Sequence, residues 1–336
     1  MKRCNACRRS TETDLRLPDV TVTIRTTRVQ ISIMSAGSEE FRCGYIAIVG
    51  RPNVGKSTLM NCMLGQKISI TSPKPQTTRH RILGIKTSDR AQLIFVDTPG
   101  LHRAAGRAMN RVLNKAALDA IHDVDIILLL VEAGVWTDQD QYLIDKLHDI
   151  NVPVILVLNK VDRIKRKDEL LAFIRDMSEK MPFAGVVPVS AKSGDNLGQL
   201  EQLLTDILPV APALFSEEQV TDRSERFIAA ELIREKLMRR LGQELPYALT
   251  VEIEQFTARE KLLDISAIIW VERDGQKAIV IGKQGSGLKA VGKQARLDME
   301  NIFGQKVFLR LWVKVKEKWS DDERALRSFG YSDRSL

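Results

Sequence analysis

Residues 45–58 read YIAIVGRPNVGKST, an apolar run followed by a glycine-rich loop and the start of a helical pattern. Phosphate groups bind where backbone N–H groups approach them closely at a helix N-terminus, and glycines such as Gly50 and Gly55 allow that approach. In loops of this kind the lysine reaches the β- and γ-phosphates and the hydroxyl group ligates Mg²⁺. The stretch therefore predicts a phosphate-binding loop. Its expected nucleotide contacts are Gly50, Arg51, Pro52, Asn53, Val54, Gly55, Lys56, Ser57 and Thr58.

A second polar motif, Asp97-Thr98-Pro99-Gly100, follows the apolar run LIFV. An aspartate at the end of a buried strand can hold Mg²⁺ through water, and the N–H group of Gly100 can contact a γ-phosphate. Many GTPases place a glutamine directly after this motif to orient the attacking water, but here the position is Leu101. Because leucine forms no side-chain hydrogen bond, we expect slow intrinsic hydrolysis that relies on the metal, on backbone groups or on a partner. We interpret the next residue, His102, as a solvated loop residue rather than a general base.

Two further motifs indicate which base is bound. Asn159-Lys160-Val161-Asp162 follows the run VILVL, and Ser190-Ala191-Lys192 ends the run VVPVS. A carboxylate at Asp162 accepts hydrogen bonds from guanine N1–H and the 2-amino group, whereas adenine offers neither donor. We expect the backbone of Ser190, Ala191 and Lys192 to pack against guanine O6. Four motifs in this order, each at the end of an apolar run, predict a guanine-nucleotide site that includes Asn159, Lys160 and Asp162.

A polar segment that contains two prolines, residues 67–81, lies between the first two motifs. A loop that becomes ordered around a γ-phosphate needs a hydroxyl group to complete the Mg²⁺ shell. Thr78 is the preferred ligand and Thr77 the alternative, so the predicted metal ligands are Ser57, Thr78 and Asp97. The residues predicted to support catalysis directly are Lys56, Thr78 and Gly100.

The composition fits a protein with packed cores. Of its 336 residues, 44% are hydrophobic and 28% charged, which is inconsistent with wholesale disorder. The longest aliphatic run, Ile126–Val131, is far shorter than the ~20 apolar residues of a membrane span. Four cysteines in a chain of this length fit a reducing compartment rather than a disulfide scaffold, and we expect a cytoplasmic location.

The order of apolar runs predicts an α/β domain over residues 41–208. Buried strands separated by helices are typical of a mostly parallel, doubly wound sheet. The predicted strands are Tyr45–Val49, Leu93–Val96, Asp125–Val131, Val154–Leu158 and Val186–Val189. A linker with two prolines follows over residues 209–221.

The last third of the chain predicts a separate α+β module, residues 222–319, followed by a tail, residues 320–336. Its predicted order is a helix (Asp222–Leu241), three strands (Ala248–Phe256, Leu263–Val271 and Lys277–Ile281), a helix (Leu288–Phe303) and a strand (Val307–Val315). Residues 277–318 hold ten Lys and Arg against three acids, most of the excess of 51 Lys and Arg over 43 Asp and Glu. Such a concentration of positive charge favours a polyanionic partner.

A Gly-x-x-Gly loop lies within this basic region, at Gly282-Lys283-Gln284-Gly285. Loops of this type clamp the backbone of single-stranded RNA, because the glycines allow close approach and the lysine supplies charge. The predicted RNA contacts are Ile281, Gly282, Lys283, Gln284, Gly285, Lys289, Lys293 and Arg296. Trp312 and Trp319 are candidates for base stacking, although Trp312 could equally be a packing residue of its strand.

The first 40 residues differ from the rest in being basic and rich in Ser and Thr, without a sustained apolar period. We interpret them as a mostly disordered extension. A targeting peptide is an alternative, and Met34 is a possible natural start. Cys4 and Cys7 are spaced like a zinc-ligand pair, but no second pair follows, so zinc is not expected. We expect Cys43 and Cys62 to be buried packing residues.

Taken together, these motifs closely resemble the Era family, bacterial ribosome-assembly GTPases of the TrmE-Era-EngA-like class with a C-terminal KH domain. The resemblance runs from Tyr45 to Tyr331. In the first domain it rests on GRPNVGKSTL, SPKPQTTRHR, DTPGLH, NKVD and SAKSG. In the second it rests on TDRSERF, REKLMR, ELPY, VIGKQG, RLWVKVKEKW and DDERALRSFGY.

The resemblance implies a P-loop GTPase domain followed by a type II KH domain, with GTP or GDP and Mg²⁺ as ligands. It further implies binding to the 3′ end of 16S ribosomal RNA, a role in maturation of the 30S subunit, loose association with the inner membrane, and a link to cell growth and division. It also suggests that Asn53 helps to position a K⁺ ion. No obligate protein partner can be deduced, and we expect a monomer.

Under this interpretation, GTP and Mg²⁺ order residues 67–81 and the loop after Gly100, and this changes how the KH domain lies on the GTPase domain. Two alternatives stay open. One is a GTPase of tRNA modification or protein targeting whose second domain contacts protein. The other is a membrane-surface regulator of cell division for which RNA is incidental.

Overall fold

The computed structural model describes residues 15–17, 20–22, 40–100, 108–242 and 245–331. Most of the segment interpreted as a disordered extension, including Cys4, Cys7 and Met34, lies outside the described residues. Within that segment two short strands, β1 (Leu15–Leu17) and β2 (Val20–Val22), pair antiparallel. Among the described residues, no helix is both long and apolar enough to cross a membrane.

The first domain is built on a six-stranded sheet. Its strands are β3 (Arg42–Val49), β4 (Ile82–Thr87), β5 (Ala91–Asp97), β6 (Ile126–Glu132), β7 (Val154–Asn159) and β8 (Gly185–Pro188). They lie in the order β4-β5-β3-β6-β7-β8, with β4 antiparallel and the others parallel. The predicted mostly parallel sheet is confirmed, and the antiparallel edge strand β4 was not predicted.

Helices cover both faces of this sheet. They are α1 (Lys56–Leu64), α2 (Ala108–His122), α3 (Asp138–Leu147), α4 (Lys167–Ser178) and α5 (Leu197–Ile207). Leu59 of α1 and Leu200 of α5 belong to the core on one face, whereas Ile121 of α2 and Ile144 of α3 belong to the core on the other. Because the parallel strands share one direction, their carboxyl ends meet at one edge of the sheet, where ligands bind in folds of this class.

The second domain packs helices on one face of a three-stranded sheet. Its elements are α6 (Glu225–Arg240), β9 (Leu249–Arg259), β10 (Leu262–Val271), α7 (Asp274–Ile281), α8 (Ser286–Phe303) and β11 (Lys306–Val315). The sheet order is β11-β10-β9, with β10 parallel to β11 and antiparallel to β9. The final helix, α9 (Glu323–Ser328), and the 3₁₀ turn Trp319–Asp321 follow.

The prediction of a strand over 277–281 is wrong, because these residues form the second half of α7. The side chain of Gln276 accepts hydrogen bonds from the N–H groups of Glu272 and Arg273, which caps the helix, and Gly282 ends it. Val280 is the buried side chain of α7, and Ile279 is exposed. This packing outweighs the strand preference of an Ile-Val-Ile run.

Candidate functional site

The phosphate-binding loop joins β3 to α1 as predicted, with α1 beginning at Lys56. Gly55 has φ +107°, and a Cβ atom there would lie 2.3 Å from Nδ2 of Asn159. A residue with a side chain would therefore be strained and would also push β7 away from the loop. The requirement for glycine here comes from both the backbone conformation and the close approach of the second motif.

Lys56 lies beneath the loop, where it is buried. Its ammonium group donates to the carbonyl oxygens of Gly50 at 2.9 Å and Arg51 at 3.2 Å. Burial lowers the pKa of Lys56 to about 8, against the opposing effect of nearby Asp97. The side chain lines a cavity of about 60 Å³ together with Ser57, Thr78 and Gly100, which places a cation where phosphate oxygens are expected.

Three oxygen-bearing side chains converge beside this cavity. The Oγ atom of Ser57 lies 2.8 Å from Oγ1 of Thr78 and donates to Oδ2 of Asp97 at 2.7 Å. Thr78 donates to the same carboxylate oxygen at 3.3 Å. Thr77 faces elsewhere, since its hydroxyl donates to the carbonyl oxygen of Lys74. The structure therefore brings Thr78, rather than Thr77, together with Ser57 and Asp97.

This cluster suits a small hard cation. Asp97 is fully buried, and burial raises its pKa. Its Oδ1 atom has no hydrogen-bond partner among the described residues. Hydroxyl and carboxylate oxygens are the ligands that Mg²⁺ prefers, and a cation would compensate the buried carboxylate.

Ser69 is a site residue that the sequence reasoning missed. It is buried, and its hydroxyl also donates to Oδ2 of Asp97, at 2.7 Å. The side chain of Asn61 holds it in place by accepting from the N–H groups of Ile68 and Ser69 and donating to the carbonyl oxygen of Ser69. A lone serine in a polar loop carries no spacing signal that could have identified it.

The predicted guanine-binding motifs also come together. Asn159 donates to the carbonyl oxygen of Val54 at 2.7 Å and accepts from the N–H group of Ala191 at 3.0 Å. It thereby ties the phosphate loop, β7 and the segment after β8 to one another. The carboxylate of Asp162 is exposed and accepts from the hydroxyl of Ser190 at 2.7 Å, which fixes its orientation at the mouth of the site.

Glu132, at the end of β6, is a second residue without a predicted role. It accepts from Lys160 at 2.7 Å and from Arg163 at 2.9 Å, and Arg51 lies 3.4 Å away. Partial burial alone would raise its pKa, but these cations lower it. Lys160 also donates to the carbonyl oxygen of Asn53, so Glu132 helps to hold the lysine of the base motif across the phosphate loop.

Leu101 and His102, which bear on the hydrolytic step, lie outside the described residues. Gly100 is described, and a Cβ atom there would lie 3.1 Å from Cγ of Pro52 and 3.3 Å from Nζ of Lys56. The backbone of the second motif therefore lies directly against the phosphate loop, next to the buried lysine.

The Gly-x-x-Gly loop connects α7 to α8. Gly282 has φ +72°, and a Cβ atom there would lie 2.9 Å from the backbone nitrogen of Gly287. Lys283 and Gln284 are exposed at the tip, whereas Ile281 packs against the core. On α8, Lys289, Lys293 and Arg296 are exposed along one side of a groove of about 480 Å³. The floor of this groove is apolar and includes Leu288, Leu309 and Leu311.

Two smaller predictions are corrected. Trp319 is fully buried, within a cluster that includes Met109 and Leu113 of α2 and Tyr331 near the C-terminus, so it is not available for stacking. Cys62 is exposed rather than buried, and its thiol donates to the carbonyl oxygen of Ala191. Cys43 is buried as expected.

Residues 67–81 form a large part of the contact between the two domains. Lys67 bridges two carboxylates of the second domain, Glu235 on α6 at 2.6 Å and Asp298 on α8 at 2.9 Å. The N–H group of Thr71 donates to Glu235 at 3.0 Å, and the buried guanidinium of Arg234 donates to the carbonyl oxygen of Thr77. The segment that carries Thr78 is therefore anchored on the helices of the second domain.

A further anchor is Arg79, which is buried. It donates to the carbonyl oxygen of Leu249 at 2.8 Å and to that of Tyr247 at 3.3 Å. Next to it, His80 stacks on Tyr331 with ring centroids 4.7 Å apart and meets Phe227 edge-on at 5.2 Å. Burial lowers the pKa of His80 to about 4, so the imidazole is neutral in this environment.

A phosphate-binding loop, a guanine motif and a basic Gly-x-x-Gly module define a P-loop GTPase joined to a KH domain. Residues 45–160 match the family described as 50S ribosome-binding GTPase, and residues 244–320 match the KH domain. The chain belongs to the Era family of GTPases and is a GTP-hydrolysing enzyme, which confirms the resemblance seen in the sequence.

Curated relatives carry the name GTPase Era. The relative from Stenotrophomonas maltophilia is 56% identical over 86% of this chain and 97% of its own length. One from Pseudomonas aeruginosa is 54% identical over 87% and 96%.

Two solved structures each have a TM-score of 0.84 and 39% identity over 87% of this chain. One, of which 99% is covered, is Era in complex with MgGDPNP and nucleotides 1506–1542 of 16S ribosomal RNA. The other, covered over its full length, is an Aquifex aeolicus Era variant bound to GDP and AlF₄⁻.

Proposed function

We propose that this protein is a GTP-dependent switch that binds the 3′ end of 16S ribosomal RNA through its KH domain and assists maturation of the 30S subunit. The observation that carries the proposal is the anchoring of residues 67–81 on α6 and α8. This segment holds the hydroxyl that meets Ser57 and Asp97, and α8 holds the basic side chains beside the groove. Support for the RNA comes from the similar Era structure in complex with nucleotides 1506–1542.

In the nucleotide site, Ser57, Thr78 and Asp97 are the proposed Mg²⁺ ligands, with Asp97 acting through water. The bound Mg²⁺ would neutralise charge on the β- and γ-phosphates. Lys56 would add a second cation from below, and the N–H group of Gly100 would contact the γ-phosphate. Since Leu101 cannot orient a water molecule, positioning by these groups leaves intrinsic hydrolysis slow.

In the base site, Asp162 is the proposed selector of guanine, with its orientation set by Ser190. Asn159 contributes by holding the phosphate loop and the segment after β8 together. Lys160 lies across the phosphate loop, where an ion pair with Glu132 holds its ammonium group. The KH contacts are proposed at Ile281, Gly282, Lys283, Gln284, Gly285, Lys289, Lys293 and Arg296.

Coupling between the two sites follows from Lys67. Thr78 would help to hold Mg²⁺ beside the γ-phosphate on one side of this connection, and the basic side chains of α8 would hold RNA on the other. Lys67 connects both through Glu235 and Asp298, so each ligand favours the arrangement that the other binds. Such a coupling is reciprocal for binding free energies.

The experiment that tests this function is competition by GTP and ATP against a fluorescent guanine nucleotide, with and without an RNA that matches the 3′ end of 16S ribosomal RNA. We expect competition by GTP alone, and a change in nucleotide affinity or hydrolysis when the RNA is present. If GTP competes but the RNA neither binds nor changes anything, the ribosomal role is wrong while the GTPase assignment stands.

Four finer points are part of the same proposal. The domain boundaries are 41–208, 209–221 and 222–319, with residues 320–336 as a tail. The protein acts as a monomer, and the basic surface of its KH domain permits loose association with anionic lipid at the inner membrane. Asn53, whose amide donates to the carbonyl oxygen of Pro73, lies between the phosphate loop and residues 67–81 and helps to position K⁺.

A further inference from the structure

Strand β11 forms one edge of the KH sheet, and its side chains alternate strictly. Val307, Leu309, Leu311, Val313 and Val315 face the helices and pack against the core. The opposite side of the strand presents Lys306, Phe308, Arg310, Trp312 and Lys314. The outer face of β11, defined by these five residues, thus alternates between cations and aromatic rings and carries no acidic side chain of its own.

The two rings on the outer face of β11 are exposed to solvent, Phe308 by 52% and Trp312 by 44%. The guanidinium of Arg310 lies 5.5 Å from the ring centroid of Phe308. Lys314 lies 5.8 Å from the ring centroid of Trp270, which is on the neighbouring strand β10. Exposed apolar groups that are gathered on one face and bordered by polar residues are typical of interaction sites.

The acidic side chains nearby are already occupied. Asp264 pairs with Arg310 at 2.8 Å and lies 3.8 Å from Arg259, and Glu252 accepts from the indole N–H of Trp270 at 2.7 Å. Lys306 lies 3.5 Å from Glu300, a contact in which the lysine side chain stays 79% exposed. The ammonium groups of Lys306 and Lys314 are therefore accessible to an anionic ligand.

Cations that alternate with rings fit single-stranded RNA better than protein. Bases stack on exposed aromatic rings, and the intervening cations meet the phosphates. The centre of a protein interface is, by contrast, depleted of lysine and other charged residues. Residues two apart on one face of a strand are about 6.8 Å apart, so Lys306 and Lys314 span roughly 27 Å.

The outer face of β11 is also continuous with the KH groove. Leu309 and Leu311 line the groove from one side of the strand, and Phe308 and Trp312 lie on the other side. Within the described residues β11 is an edge strand, so no neighbouring strand blocks passage from one side to the other. A chain that leaves the groove can cross this edge directly.

We propose that the outer face of β11 is a second RNA-binding surface, which stacks unpaired bases of the RNA segment contiguous with the one in the groove. This inference rests on the proposed binding of RNA in the groove and adds a separate stacking site to it. Trp312 and Phe308 supply the stacking, and Lys306 and Lys314 supply phosphate contacts.

The test compares two labelled single-stranded RNAs by fluorescence anisotropy with the full chain. One is about four nucleotides long, enough for the groove, and the other is about twelve, enough to extend beyond it. We expect Trp312→Ala and Phe308→Ala each to weaken binding of the long RNA by roughly 5- to 100-fold while binding of the short RNA stays unchanged. Trp312→Phe should restore most of the affinity.

Further variants separate stacking from the loss of an exposed apolar side chain and from phosphate contacts. Leu171→Ala removes a comparably exposed apolar side chain, 66% exposed on α4, and should change neither affinity. Lys306→Gln and Lys314→Gln should each lower the salt dependence of long-RNA binding by about one unit of slope. Thermal unfolding midpoints of all variants establish that the fold is intact.

The other outcomes overturn the proposal. Equal losses for short and long RNA would mean that the rings act through the groove, and no loss at all would mean that RNA does not reach them. A concentration-dependent dimer that Trp312→Ala abolishes would assign the face to a second copy of the chain. If the unaltered protein bound neither RNA, the proposed function would fail first and this inference with it.

Discussion

Asp162 is the residue that we propose selects the nucleotide base. We predict that Asp162→Asn weakens GTP binding by at least about 100-fold, since an amide cannot accept from both N1–H and the 2-amino group. The same variant should gain affinity for xanthosine triphosphate, because the new N–H donor faces the carbonyl oxygen that replaces the 2-amino group. Competition against a fluorescent nucleotide by GTP, ATP and xanthosine triphosphate measures both effects. Binding of RNA by the variant serves as the control and should not change.

His80 makes the stability of the domain interface depend on pH. Its folded pKa of about 4 lies below the ordinary value of about 6.5, chiefly because packing against Tyr331 and Phe227 desolvates the half-buried imidazole. Because the folded pKa is depressed, the contribution of the neutral His80 to the free energy of unfolding is present in full above pH ~6.5. It is lost as the pH falls toward 4, by about 3 kcal/mol in total.

We predict that His80→Phe, which keeps the ring contacts with Tyr331 and Phe227, flattens the fall in stability between pH 6.5 and 4. Urea unfolding of both proteins across this range measures the difference. Carboxylates that do not interact with His80 titrate equally in the two proteins and cancel in the comparison, whereas Glu231, which interacts electrostatically with His80, is part of the measured difference. Parallel curves for the two proteins would show that His80 is not the titrating group.

At the scale of elements, the conformation of the turn between α7 and α8 restricts which residue can occupy position 282. We predict that Gly282→Asp weakens RNA binding by tenfold or more, because φ of +72° and the 2.9 Å approach to Gly287 exclude a side chain. Nucleotide affinity should be unchanged, since the turn does not touch the first domain's site. Gly275→Asp is the matched control, as it adds the same charge on α7 at an exposed position with open space around it. Equal effects of the two substitutions would attribute the loss to charge alone.

Prediction of elements from the sequence succeeded where burial is continuous. The central strands β3, β6 and β7 are apolar at nearly every position, and their predicted limits differ from the observed ones by three residues at most. Strand β4 was missed because it follows a polar loop and contains Gly84, which weakens a strand pattern. Helix α7 was misread because the Ile-Val-Ile run favours a strand locally, and its packing against α8 and β11 cannot be seen in a short window.

For the site as well, the sequence identifies residues that carry a local signal and misses residues whose role depends on distant partners. The motif residues Lys56, Asp97 and Asp162 could be predicted as site residues because each lies at a fixed position within a short local pattern. Ser69 and Glu132 were not found, because their roles come from partners 28 residues away, Asp97 and Lys160 respectively. The contact of Lys67 with Asp298 spans 231 residues, and no local pattern encodes it.

At the scale of the whole molecule, the position of the KH domain and the geometry of residues 67–81 form one unit. Arg234 donates to the carbonyl oxygen of Thr77, the residue before Thr78. Glu235 accepts hydrogen bonds from Lys67, from the N–H group of Thr71 and from Arg239. Asp298 lies on the same helix as Lys289 and Lys293 of the groove. Under the proposed function, a shift of α8 on binding RNA would act on the nucleotide site through an ion pair rather than through a flexible linker.

Lys67 is the point at which this coupling can be removed without disturbing either site. We predict that Lys67→Met brings the ratio of GTP affinities with and without RNA close to one, from the roughly 5- to 150-fold typical of allosteric coupling. Glu235 and Asp298 keep Lys236 as a partner, so the substitution leaves no isolated buried charge. Titrations of nucleotide at saturating RNA, and of RNA at saturating nucleotide, measure the coupling in both directions.

The matched control is Lys86→Met, because Lys86 is as exposed as Lys67, 31% against 30%, and pairs at 2.7 Å with Glu201 inside the first domain alone. It should leave the coupling intact while removing an ion pair of the same kind. Because coupling is reciprocal, Lys67→Met must reduce the effect of RNA on GTP affinity and the effect of GTP on RNA affinity by the same factor. A coupling factor that survives in Lys67→Met would place the connection in another contact between the domains, and the ion-pair route would have to be abandoned. Such contacts include Arg234 and Arg79, which donate to backbone carbonyl oxygens on the opposite domain, and the packing of Trp319 against α2.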